Sequence, residues 1–484
     1  MNEFTFQLES TYTELPDILF SKTPPTPVRQ PGIVVFNDKL ADEIGLNLSG
    51  MRKEERTEFL SGNLVPEGTV PFAQAYAGHQ FGNFTVLGDG RAIVLGEHLT
   101  PSGQRLDLQL KGSGSTPYSR RGDGRAALGP MLREYIISEA MHALRIPTTR
   151  SLAVVTTGEK VYRETELPGA ILTRIAGSHI RVGTFEFTSL QADKKVTQAL
   201  LDYLIDRHFP EIKEKDNQPF ALLEAVIHQQ AELITHWMRV GFIHGVMNTD
   251  NMALSGETID YGPCAFMDAY DPKTVFSSID HLGRYSYMNQ PKIAQWNLAR
   301  FAETLLTLID KDLNKSVELA EELINKFPEV YQEKWLNMMR SKLGLFQTHE
   351  SDVQLVSDLL DWMVDNNADY TNTFRSLSHL ERPNSGVYQS ETFQSWYKRW
   401  QNRLQKNSES IESSIDLMKS RNPAVIPRNH KVEEALESAN NGNLKPFEDL
   451  VSILKEPYTD RAALAAYKNP LKPGATDYKT FCGT

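Results

Sequence analysis

In the first third of the chain the apolar positions recur every second residue. Leu106, Leu108 and Leu110 alternate with Asp107 and Gln109, the pattern of a half-buried strand, here ending at Lys111. Upstream, Phe84-Thr-Val-Leu-Gly88 and Arg91-Ala-Ile-Val-Leu-Gly96 flank Asp89-Gly90. Asp-Gly between apolar runs is a strong hairpin signal, so strand, tight turn and strand are predicted. Near Pro130 the period changes. Leu132, Ile136, Ala140 and Leu144 fall on one helical face, and Pro147 lies beyond its end. Two further strands are predicted near residues 151–157 and 169–175.

Beyond residue 177 the texture is helical. A long helix is predicted over 220–240, with Leu222, Val226, Leu233, Trp237 and Val240 near one face and Gly241 as its stop. A loop with two short strands occupies 243–261. Helices follow near 293–309, 316–327, 353–365 and 392–405. After a proline-bounded connector at 421–428 come a Glu-rich helix from Val432 and a loose tail containing Pro457, Pro470 and Pro473. The fold class is α+β, a protein-kinase-like two-lobed fold with a small mixed β/α lobe and a large helical lobe. The divisions are 1–70 (an N-terminal extension packed on the core), 71–176 (small lobe), 177–345 (helical lobe with the catalytic loop) and 346–484 (C-terminal helical extension and tail).

Composition narrows the partners. The 484 residues are 40% apolar, enough to bury a sizeable core, and the net charge is −11. A nucleic-acid partner wants a basic face, so any cationic site must be local. Neither a secretory signal nor a membrane span is expected. Two cysteines, Cys264 and Cys482, suit a reducing cytosol and not a disulfide framework. A cytoplasmic monomer is expected.

The candidate chemistry centres on His244-Gly-Val246-Met-Asn-Thr-Asp250-Asn251 and Ile259-Asp260-Tyr-Gly262. Protein kinases carry His-Arg-Asp with a metal-binding Asn five residues after the Asp, then Asp-Phe-Gly. The His244–Asn251 spacing matches. Residues 252–259 read as two short strands around Ser255-Gly256, placing Asn251 and Asp260 where both reach one Mg²⁺ or Mn²⁺ ion. The kinase base position is Val246, which cannot accept a proton, so Asp250 is the nearest carboxylate to replace it. Lys111 at a strand end and Glu134 early in the next helix read as the pair that orients phosphates, or else as a surface contact. Gly88-Asp-Gly90-Arg91 stands where a glycine-rich loop belongs. Ser119-Arg-Arg-Gly-Asp123-Gly124-Arg125 adds flexible backbone and charge. Arg174 and Arg181 flank the passage between lobes, as structural ion pairs or as bidentate phosphate ligands.

These residues resemble the selenoprotein O family of kinase-fold protein adenylyltransferases. The resemblance runs from about Phe72 to the C-terminus, through Gly78-His-Gln-Phe-Gly82, Gly88-Asp-Gly-Arg91, Leu110-Lys-Gly-Ser-Gly114, His244 to Asn251 and Asp260 to Asp268. It implies ATP bound flipped relative to kinases. Lys111, Arg174 and Arg181 would then hold the β- and γ-phosphates. Gly88, Gly90, Arg91, Asp123 and Gly124 would contact the nucleotide. Asn251 and Asp260 would bind the metal, Asp260 also meeting the nucleotide, and Asp250 would accept the proton. The implied reaction is AMP transfer to Ser, Thr or Tyr of proteins with release of pyrophosphate. Phosphoryl transfer, UMP transfer and a non-catalytic nucleotide-binding scaffold are the competing readings. Some family members carry selenocysteine near the C-terminus, where this chain has Cys482. Cys264, four residues past Asp260, is its candidate redox partner.

Overall fold

The computed structural model describes residues 7–48, 50–191, 193–380, 386–471 and 478–480. Its first part is built on β1 (Phe20–Lys22), β2 (Gly32–Phe36), β3 (Phe72–Gln74), β4 (Ala77–Gln80), β5 (Asn83–Val86), β6 (Ala92–Leu99), β7 (Arg105–Lys111), β8 (Ala126–Ala127), β9 (Arg150–Tyr162) and β10 (Glu166–Ala176). Eight of these form one sheet in the order β1-β3-β6-β7-β10-β9-β2, with β8 beside β10. The first 70 residues therefore put two strands into the main sheet. Three helices flank it: α1 (Asp38–Ile44), α2 (Lys53–Ser61) and α3 (Leu128–Ala143).

The period-two pattern decides which face is which. Leu106, Leu108 and Leu110 of β7 join Ile171 and Ile175 of β10 in a core with Leu40, Ile44, Phe59 and Leu60 of α1 and α2. The opposite face of β7 carries Asp107, Gln109 and Lys111. These are also buried, at 3%, 0% and 7% exposure, so the strand is enclosed on both sides and not half-exposed as predicted. Buried polar side chains need partners. Here they find them across the sheet, in Arg174 opposite Gln109, and beyond it in α3 and the helical lobe.

The predicted hairpin around Asp89-Gly90 does not form. β5 pairs with β4 as a separate two-stranded ribbon, whereas β6 pairs with β3 and β7. The ribbon turns at Phe81-Gly82, both at positive φ (50° and 86°). A two-residue turn of that hand matches strand twist. Asp89 is drawn inward instead, accepting from the Gln74 amide at 3.1 Å.

The helical lobe contains α4 (Val182–Ser189), α5 (Lys194–His208), α6 (Gln218–Val240), α7 (Gln290–Ile309) and α8 (Leu313–Lys342). Gly241 ends α6 at φ 72°. A short pair, β11 (Phe242–Ile243) with β12 (Ala265–Phe266), brackets the segment carrying the candidate chemistry. The two strands predicted around Ser255-Gly256 do not pair with each other. Ala253 bridges Arg181 and Thr258 bridges Thr148, so this segment is stitched to both lobes. The chain continues through α9 (Asp352–Asp365), α10 (Tyr370–Leu377), α11 (Glu391–Leu404), α12 (Ile411–Arg421), α13 (Asn429–Asn440) and α14 (Lys445–Leu454). The predicted loose tail thus contains a helix. α13 and α14 pack back on α3, with Phe447 against Tyr135 and Glu433 paired to Arg133. They support the helix that carries Glu134. Among the described residues, no helix is long and apolar enough to cross a membrane.

Candidate active site

Between sheet and helices lies a cleft of about 400 Å³, lined by Gly88, Gly90, Arg91, Lys111, Asp123, Gly124, Arg174, Arg181, Asp250, Asn251 and Asp260. Every residue that the sequence nominates for nucleotide, metal or proton transfer faces this one space. Glu134 stands behind it and Cys264 is fully buried beside it. Cys482 lies outside the described residues.

The floor of the cleft is an ion-pair network. Lys111 Nζ donates to Glu134 at 2.8 Å and to Asp260 at 2.9 Å. Arg174 donates through Nε to Glu134 at 2.8 Å, through Nη1 to Gln109 at 3.1 Å and through Nη2 to Asp260 at 2.7 Å. Arg181 lies 3.5 Å from Asp260 and 3.9 Å from Asp89, over the Tyr76 ring. Burial alone would raise the Asp260 carboxyl. Lys111, Arg174 and Arg181 outweigh it and hold the group well below the ordinary carboxylate range. Glu134 is lowered in the same way, with Arg174 the leading cation. Asp260 adopts φ 62°, a conformation that a non-glycine residue keeps only when its surroundings enforce it. Here His244 contributes: its Nε2 pairs with the Ile259 carbonyl at 2.9 Å, and burial keeps the ring neutral.

The rim is different. Thr249–Asn251 form one tight turn. The Asn251 amide nitrogen donates to the Val246 carbonyl at 2.9 Å, which leaves the side-chain oxygen as its free donor atom for a cation. Arg181 reaches Asp250 only at its main-chain oxygen, at 2.9 Å. The Asp250 carboxylate is 8% exposed, its Oδ1 has no hydrogen-bond partner, and burial pushes it up to about 6. A desolvated carboxylate with an unpaired oxygen is suited to taking a proton. Gly78 makes this approach feasible: a Cβ there would stand 2.3 Å from Asp250 Oδ1.

The loop that carries Asp123 lines the same cleft. Arg163, on the β9–β10 turn, grips both Asp123 oxygens at 3.0 and 3.1 Å. Gly88, at φ 145°, packs where any Cβ would meet Tyr118 at 2.4 Å. Sequence reasoning passed over Tyr76, Gln80, Asp89, Arg163 and Asn248, all of which line the cleft. Gln80, Asp89 and Asn248 lie inside strings already singled out but were given no role there, whereas Tyr76 and Arg163 lie in no local pattern that signals chemistry.

Comparison with known proteins decides the family. A family model described as "Protein adenylyltransferase SelO" matches residues 3–455. The chain belongs to the SelO family. The match begins well before Phe72, so the N-terminal strands are part of what the SelO family shares. Curated SelO relatives named "Protein nucleotidyltransferase YdiU" span nearly the whole chain. The Nitrosococcus oceani protein is 57% identical over 480 residues, covering 99% of this chain and 97% of that one. The Halalkalibacterium halodurans protein is 56% identical over 484 residues, 100% and 98%. The Syntrophotalea carbinolica protein is 55% identical over 480 residues, 99% and 98%. This SelO member is an enzyme of the nucleotidyltransferase class.

Proposed function

We propose that the enzyme transfers AMP from ATP to Ser, Thr or Tyr hydroxyls of proteins, releasing pyrophosphate, from a nucleotide flipped relative to protein kinases in a kinase-like cleft. The observation that carries this reading is the asymmetry of the cleft. Lys111, Arg174 and Arg181 are buried together in one ion-pair network, while the buried Asp250 carboxylate stands outside that network with one oxygen unpaired. Three clustered cations suit the β- and γ-phosphates, which leaves the α-phosphate toward Asp250. In the resting cleft these cations are satisfied by Glu134 and Asp260. A triphosphate tail competes for them and frees Asp260 oxygen. The Asp250 carboxylate takes the acceptor proton as the hydroxyl oxygen attacks the α-phosphorus, and pyrophosphate leaves toward the floor.

Asn251 and Asp260 would hold a divalent cation. Among the described residues no cluster of three or more His, Cys, Asp or Glu is arranged around a metal. Two side-chain oxygens fit a Mg²⁺ or Mn²⁺ ion that completes its shell with substrate phosphates and water, and so arrives with the nucleotide. When bound it would neutralise phosphate charge. The test of the reading is the label retained on protein from ATP labelled at the α- or the γ-phosphate. UMP transfer in the same cleft is tested by offering α-labelled UTP beside ATP.

A reversible link between Cys264 and Cys482 would tie the tail to this site. The Thr480 hydroxyl, two residues before Cys482, donates to the Pro263 carbonyl at 2.7 Å, next to Cys264. Against easy reaction, burial pushes the Cys264 thiol up to about 12, so little thiolate exists at neutral pH. Non-reducing peptide mapping under mild oxidant, with activity measured before and after reduction, separates a joined pair from two free thiols.

A further inference from the structure

α4 is an unusual helix by sequence, Val-Gly-Thr-Phe-Glu-Phe-Thr-Ser, rich in β-branched and aromatic residues. At its centre Glu186 is 3% exposed. Burying a carboxylate is costly unless hydrogen bonds satisfy it, and no step described above uses this one. Among the described residues no Lys or Arg pairs with it. Its oxygens instead close a ring. Oε2 accepts from the Thr249 hydroxyl at 2.5 Å, and Oε1 lies 2.5 Å from His79 Nδ1. The His79 main-chain N–H in turn donates to the same Thr249 hydroxyl at 2.7 Å. With Nδ1 protonated, each contact in the ring has one donor and one acceptor.

The ring joins three segments far apart in sequence: the β4–β5 ribbon, α4 and the turn that carries Asp250. The same segments touch through glycines. A Cβ on Gly183 of α4 would meet the Ala77 carbonyl at 2.0 Å, and one on Gly78 would meet Asp250. The edge of the Trp296 ring closes the His79 side, at 5.2 Å between centroids. The Asp250 carboxylate itself has no cationic side chain gripping it. Arg181 holds only its main chain and Gln80 of β4 hydrogen-bonds the carboxylate, so its direction follows the turn and the ribbon together.

We infer that Glu186 is a positioning residue for Asp250, acting through the Thr249 hydroxyl and His79, with the β4–β5 ribbon as the third support of the catalytic turn. This rests on the assignment of Asp250 as the proton acceptor. Glu186 does not line the cleft. Its loss leaves the phosphate-binding floor intact and moves the reacting carboxylate.

The experiment measures kcat and KM for incorporation of α-labelled ATP into proteins of a heat-treated soluble extract, with ATP affinity by calorimetry and thermal melting for each variant. Thr249→Val removes the hydroxyl at constant shape, Thr249→Ser keeps it, and Glu186→Gln removes the charge. Val and Gln lower kcat by about tenfold to a hundredfold, as a misplaced catalytic group does, while ATP affinity moves less than about twofold. Ser stays within about threefold of the parent enzyme. Thr249→Val at parental kcat, or a loss of ATP affinity that matches the loss of kcat, overturns the inference. Asp250→Asn at parental kcat overturns the assignment beneath it and the inference together. An inactive Asp250→Asn beside a fully active Thr249→Val overturns the inference alone.

Discussion

The floor and the rim of the cleft are built on opposite principles. On the floor every charged group is paired: Lys111 and Arg174 share Glu134 and Asp260, and the carboxyls are held ionised. Asp250 lies outside that network, is more buried than Asp260 and has an orphan oxygen, and burial drives it toward the neutral form. A satisfied network binds charge in a fixed geometry without reorganising. The Asp250 carboxylate keeps one side-chain hydrogen bond, from Gln80 of the ribbon, and its second oxygen is left unpaired. The contrast teaches that one cleft separates holding from reacting by how completely each carboxylate is partnered.

Breaking the floor at its centre has the largest effect. Asp260→Ala removes the partner of three cations and one of the two proposed metal ligands, so transfer is expected to be abolished and metal-dependent nucleotide binding lost by calorimetry. Breaking the rim is more selective. Asp250→Ala lowers turnover by about 10²–10⁴, the usual cost of losing a general base, while calorimetry returns nearly the parental ATP affinity. A collapse of ATP binding in that variant makes Asp250 a ligand and erases the contrast. Arg174→Ala weakens ATP more than AMP, because AMP lacks the tail phosphates. It also destabilises the fold, by less than the roughly 3–5 kcal/mol of a fully orphaned buried charge, because Glu134 keeps Lys111 at 2.8 Å. Equal weakening of both nucleotides makes Arg174 purely structural.

A smaller effect lies behind the floor. Glu257 accepts from the Gly177 amide and the Ser255 hydroxyl, both at 2.8 Å, at the passage between the two halves of the fold. Burial nevertheless pushes it up to about 7, above an unfolded value of 4.5. The folded protein therefore holds this proton more tightly. The stability from it is complete below the unfolded value, declines as pH rises and is gone above about 7. Glu257→Gln stays neutral, so its melting temperature falls less than the parent's between about pH 5 and pH 8. Parallel curves for the two proteins contradict this assignment.

Much of this was readable from sequence where the signal was local. The alternation that buries Leu106, Leu108 and Leu110 also points Lys111 to the other face, and the His244–Asn251 spacing marked the turn that carries Asp250. Non-local contacts were not readable. Asp89-Gly90 looked like a hairpin because its neighbours are apolar, but Asp89 is captured by the Gln74 amide and each flanking strand has another partner. α4 shows little helical preference and is held by burial on all sides. α5 was passed over although Leu200, Leu201, Leu204 and Ile205 repeat at helical spacing after Asp193. His79 meets Thr249 across 170 positions, and no pattern within the ribbon announces it.

The most direct test offers the protein ATP labelled at the α-phosphate in one reaction and at the γ-phosphate in another, with Mg²⁺ or Mn²⁺ and acceptor protein present. A cleft with its cations clustered in one network and Asp250 outside it leaves the α-label on protein and releases the γ-label as pyrophosphate. Retention of the γ-label with loss of the α-label means phosphoryl transfer and contradicts the account.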